Sequence, residues 1–120
     1  MKKFKSSHST IVDGKRYVWD VERLWRLAEG LKVFEIDPLS IKEIDEDCWY
    51  GGTKTPTIAN IIDHVRRIEN CSFDHPIILN ANGDLMDGGH HVAKAILQKA
   101  ISIKAVQFAV MLAPDNIQET

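Results

Sequence analysis

Gly88 and Gly89 stand between a short apolar run ending at Asp87 and a helix-forming run beginning at His90. Pro76 to Asn80 reads as a strand, Asn82-Gly83 as a tight turn, and Leu85 to Asp87 as a second short strand. Val92, Ala93, Ala95, Ile96 and Leu97 then give a helix, from about Gly89 to Lys99, an apolar surface broad enough to require burial. Two glycines at such a junction let the backbone turn sharply and leave N–H groups unpaired at the helix start. The helix dipole adds partial positive charge there, so the place favours anions and phosphates. His90 and His91 fall in the first turn, within reach of the same anion.

The flanking chain alternates short strands with helices. Lys15 to Trp19 follows the Asp13-Gly14 turn and ends in strand formers. Asp20 is placed to cap a helix with Val21, Leu24, Trp25 and Ala28 on one face, and Gly30 suits its stop. Lys32 to Asp37 reads as a strand closed by Pro38. Leu39 to Tyr50, acidic but interrupted by Ile41, Ile44 and Cys48-Trp49-Tyr50, reads as a loop or short helical turn that tucks its aromatics into the core. Gly51 to Lys54 is a link to a second helix. Thr55 suits its N-cap, Pro56 its first position, and Ile58, Ile61, Ile62, Val65 and Ile68 its apolar face. Ile101 to Ala109 supplies the last strand, with Ile103, Ala105 and Gln107 on one face and Lys104, Val106 and Phe108 on the other.

These elements predict one α+β domain over residues 15–110, a small mixed sheet packed with about three helices. Residues 1–14 read as a flexible lead-in and 111–120 as a polar tail. A chain of 120 residues holds one modest core and not two. The net charge of −2 lacks the basic footprint of indiscriminate nucleic-acid binding. No apolar stretch approaches the roughly 18 residues of a membrane span, and residues 1–9 lack the apolar core of a secretory signal. A cytoplasmic protein without membrane partners is expected. Cys48 and Cys71 show no metal-ligand spacing and read as reduced thiols.

Strand, tight turn, Asp87-Gly88-x-His90, apolar helix and Ile/Val-rich strand together resemble the ParB/sulfiredoxin superfamily. The resemblance runs from about Val33 to Phe108. Val33 to Leu39 is similar to the family's first strand and loop, and Thr55-Pro56-Thr57 to the segment before its central strands. The Asp20 to Gly30 helix resembles an addition found in small stand-alone members. The resemblance implies the ParB/sulfiredoxin-like fold and a nucleotide-phosphate cradle at the motif, taking ATP, ADP or CTP with Mg2+. It departs at His91, where the family carries arginine. Arginine is always charged and grips phosphate through paired hydrogen bonds, whereas histidine is mostly neutral at pH 7. Gly89 stands where sulfiredoxin has its essential cysteine, so sulfinic-acid repair is not expected. The chain ends soon after the last strand, so sequence-specific DNA binding of the partition-protein kind is not expected either.

On this reading Gly88, Gly89, His90 and His91 bind the phosphates. Lys94, on the histidines' side of the helix, is a phosphate contact or a solvated lysine. Lys54, Thr55 and Thr57 form a second anion contact, unless the threonines simply cap their helix. Catalytic candidates are Asp87, His90 and Glu35. Asp87 is a general base or a turn-fixing acid, and Glu35 a catalytic carboxylate or an exposed strand residue. No dedicated protein metal site is expected, because adjacent histidines rarely aim both rings at one ion. The expected function is binding of a nucleotide or small phosphorylated ligand, with phosphoryl transfer or nucleotide hydrolysis as the implied activity. Binding should tighten between pH 7.5 and 6 as the histidines charge. The alternatives are a non-catalytic protein-interaction module of the same fold and, behind it, a metal-dependent nuclease.

Overall fold

The computed structural model describes residues 6–50 and 56–119. Strand β1 (Ser7–Val12) turns through Asp13 and Gly14 into β2 (Lys15–Asp20), pairing antiparallel from Ser7 opposite Asp20 to Val12 opposite Lys15. Both turn residues have positive φ, 52° and 78°, the geometry of an Asp-Gly hairpin tip. The lead-in expected over 1–14 is therefore structured from Ser7 onward: a turn of this type joins two strands. The expected tail is paired as well. Strand β7 (Asn116–Glu119) lies antiparallel along the other edge of β2, with Ile117 opposite Tyr17. Asp115 anchors it, its Oδ2 accepting from the Asp20 N–H at 2.8 Å and from Arg23 at 3.3 Å.

Helix α1 (Val21–Ala28) starts where its cap predicts, with Asp20 Oδ1 accepting from the Glu22 N–H at 3.1 Å. It buries Val21 and Leu24 and leaves Trp25 half exposed. Strand β3 (Phe34–Ile36) leads into a strap of two 3-10 turns, Pro38–Ser40 and Lys42–Asp45, which continues to Tyr50. Pro38 and Ile41 are its buried footholds.

The second sheet is mixed, in the order β3–β6–β4–β5. Strand β4 (Ile77–Leu79) runs antiparallel to β5 (Leu85–Asp87) and parallel to β6 (Ile103–Gln107), and β6 runs antiparallel to β3. A parallel neighbour needs a crossover, which α3 (Gly89–Leu97) supplies. Alternation along β4 and β6 then fills two cores. Ile77, Leu79, Ile103 and Ala105 pack against Val92 and Ala95 of α3. Ile78, Val106 and Phe108 pack with Met86 against Trp19 and Leu24 on the opposite face. Both faces of the mixed sheet are covered, which explains why all three β4 residues are buried. The chain is one α+β domain with three α-helices and two sheets among the described residues. No helix among them is long and apolar enough to cross a membrane.

Helix α2 (Ile58–Asn70) departs most from its sequence pattern. Its N-cap is Thr57, whose Oγ1 accepts from the Asn60 N–H at 3.1 Å; Thr55 lies outside the described residues. The half-buried positions are Asn60, His64 and Ile68, whereas Ile58, Ile61, Ile62 and Val65 stay 43–79% exposed. The roll of the helix is set by contacts to α3 rather than by its apolar face. His64 meets His90, and the Lys94 ammonium binds the Glu69 and Cys71 carbonyls at the helix end.

Candidate functional site

Gly88 is the N-cap of α3, in the left-handed region at φ 112°, and no side chain caps the helix start. Its glycine identity has a packing cause. A Cβ at Gly88 would lie 2.6 Å from Ile77 Cγ2 on the neighbouring strand. Gly89 admits the strap: a Cβ there would meet Trp49 Nε1 at 3.0 Å and Cys48 Sγ at 3.4 Å. The glycine pair thus does two jobs, closing α3 onto β4 and letting Trp49 approach the first turn. Gly88, Gly89 and His90 stay half-buried, so the uncapped end is still reached from outside.

The adjacent histidines diverge. His90 turns toward α2, where its Nε2 and His64 Nδ1 stand 2.8 Å apart. The two rings are 15° from parallel with centroids 5.0 Å apart, the separation of imidazoles bonded head-on in one plane. The Trp49 indole lies flat against both, 4.6 Å from His64 and 4.8 Å from His90. Burial, followed by the neighbouring His64 and Arg67, drives the His90 pKa down to about 4. Burial also lowers His64. His91 turns the other way, stacking on Phe73 at 4.9 Å, and burial lowers its pKa against the pull of Asp87. Neither ring carries the charge that the sequence pattern assigned to it near neutral pH. The expected tightening between pH 7.5 and 6 therefore loses its basis.

Other candidates separate in space. Asp87 ends β5 beside the cleft, its Oδ2 accepting from Trp25 Nε1 at 2.9 Å, and burial raises its pKa above the usual carboxylate value. Lys94 does not face the anion site: its Nζ donates to the Glu69 carbonyl at 3.1 Å and the Cys71 carbonyl at 2.6 Å, capping α2. Glu35 is exposed on β3, opposite Lys104, with β6 and β4 between it and β5. It is not part of the site. Lys54 and Thr55 lie outside the described residues.

Asp87, Gly88, Gly89 and His90 instead open into a cleft of about 860 Å3 between the β1–β2 hairpin, the strap and α2. Its cations are Arg16, Lys42 and Arg67, facing Glu43, Glu46, Asp47 and Asp84. Lys42 pairs with Asp84 at 2.5 Å, and Arg67 with Asp63 at 3.0 Å, the i,i+4 pair its spacing predicts. Arg67, paired with Asp63 on its own helix, is close enough to His90 and His64 to depress both. Sequence reasoning missed Trp49 and His64, placing the first in the core and passing over the second. A signal existed for His64: it is the polar interruption of an isoleucine-rich helix. Among the described residues, no three His, Cys, Asp or Glu side chains converge as a metal site. No family model, curated protein or solved structure matches the chain.

Proposed function

We propose that this chain is a ParB/sulfiredoxin-type domain that binds a nucleotide, or a related phosphorylated ligand, in the cleft at the start of α3. The observation that carries the reading is the left-handed Gly88 leading into a helix end that no side chain caps, at the head of an 860 Å3 cleft. The order of β3, strap, α2, β4, β5, α3 and β6 agrees with the order that the resemblance implies. The amides of the first turn of α3 receive phosphate oxygens, and Arg67 supplies the charge that His91 lacks. His90, held by His64 and Trp49, acts as a neutral hydrogen-bonding group. Asp87, fixed by Trp25 and made a stronger base by the burial that raises its pKa, takes in its ionised form the proton of an acceptor hydroxyl or water in phosphoryl transfer or hydrolysis. Magnesium arrives with the nucleotide.

Titration calorimetry with ATP, ADP and CTP plus magnesium tests the reading. At least one binds, with affinity nearly constant from pH 7.5 to 6 because His90, at the head of the cleft, stays neutral over that range. Arg67→Ala weakens binding by about tenfold, the scale of one charged hydrogen bond. Absence of heat at millimolar ligand ends the reading.

A further inference from the structure

A second cavity, of about 620 Å3, lies on the other side of the strap. Ile41, Ile44 and Trp49 form one wall and Val92, Ile96 and Leu97 of α3 the other. Its charged lining is acidic throughout, Glu43, Glu46 and Asp47, with no Lys, Arg or His among the described residues. Glu43 adds a second observation: its Oε1 is buried with no hydrogen-bond partner among the described residues, and burial raises its pKa although the carboxyl also takes backbone hydrogen bonds, one of them at Leu85. An unpaired carboxylate oxygen out of water is costly unless a compensating charge or donor arrives. The lips of the groove are apolar yet open, with Leu97 73% and Ile44 41% exposed. Lips that stay wet suit a row of side chains laid in from another protein.

We propose that this groove docks a basic amphipathic helix of a partner protein. Two or three large apolar side chains enter between the strap and α3, and flanking Lys or Arg side chains lie along Glu43 and Glu46. The groove shares Glu43, Glu46, Asp47 and Trp49 with the nucleotide cleft across the strap, but its occupant does not require a bound nucleotide.

The probe is a fluorescein-labelled helical peptide of leucine and lysine, with leucines at i, i+3, i+4 and i+7, followed by anisotropy at 0.15 M ionic strength, where the Debye length is about 8 Å. A matched leucine/glutamate peptide is the control. The lysine peptide binds, and the glutamate peptide binds at least about tenfold more weakly. Ala93→Trp, which fills the groove, and Glu46→Lys, which reverses its rim, each weaken the lysine peptide by about the same factor. Should Ala93→Trp fail to fold, Leu97→Gln replaces it, since that side chain is already largely in water and the change removes an apolar lip without adding a charge. The proposal is overturned if the lysine peptide does not bind, if both peptides bind alike, or if Leu97→Gln and Glu46→Lys bind it as the unaltered protein does.

Discussion

His64 Nδ1 and His90 Nε2 meet at 2.8 Å against the face of Trp49, so one ring must donate its proton and the other accept it. The accepting ring must therefore be neutral, so the pair holds at most one extra proton. A doubly protonated pair would set two donors against each other.

Stability should therefore fall in mild acid. His90, His64, His91 and His8 all sit below the free value of 6.5, with burial the largest cause in each. The unfolded chain takes up protons first. Their contribution is complete above pH 6.5 and is lost on descending toward about 4, where folded His90 titrates. Asp87 and Glu43, both raised, work in the opposite direction as they protonate above their ordinary values. NMR titration of the His90 ring protons should give a midpoint near 4; a midpoint near 6.5 would mean that the pair does not form.

The two glycines should respond differently to alanine. Gly88→Ala places a Cβ 2.6 Å from Ile77 Cγ2 at a strained φ, and should destabilise by more than about 2 kcal/mol in urea unfolding. Gly89→Ala meets only side-chain atoms of Trp49 and Cys48 and should cost about 1 kcal/mol or less, while moving the Trp49 indole and changing tryptophan emission. Equal costs would contradict the packing described.

Lys94→Met removes two hydrogen bonds to the last carbonyls of α2. A loss of about 1–2 kcal/mol is expected, with hydrogen exchange accelerated near Asn70. Nucleotide affinity should not change. A large loss of affinity with unchanged stability would return Lys94 to the anion site.

Trp25→Phe deletes the bond from Nε1 to Asp87 Oδ2, a contact that favours the ionised carboxylate. The Asp87 pKa should rise further, at a cost of about 1 kcal/mol in stability. Carbon-detected NMR of the Asp87 carboxyl reads the shift directly.

What the sequence made legible was local chemistry. The Asp20 cap, the Asn82-Gly83 turn, the start of α3 and the two faces of β6 each depend on residues a few positions apart. Strands β1 and β7 were not legible because their signal lies in a partner: β7 has weak strand chemistry and forms on the free edge of β2, far away in sequence. The roll of α2 was hidden for a related reason, since one histidine pair and one lysine outweigh a run of isoleucines. Glu35 was misplaced because strand order, which no periodicity encodes, puts two strands between it and Asp87.

Residues from Glu43 to Tyr50 form a partition whose opposite sides face the two cavities. Any displacement that enlarges one compartment alters the other. Occupancy of the two would then be thermodynamically linked, and whatever factor a peptide imposes on nucleotide affinity, the nucleotide must impose on the peptide. Titrating each in the presence of the other measures that factor, and a value of one would show a rigid divider.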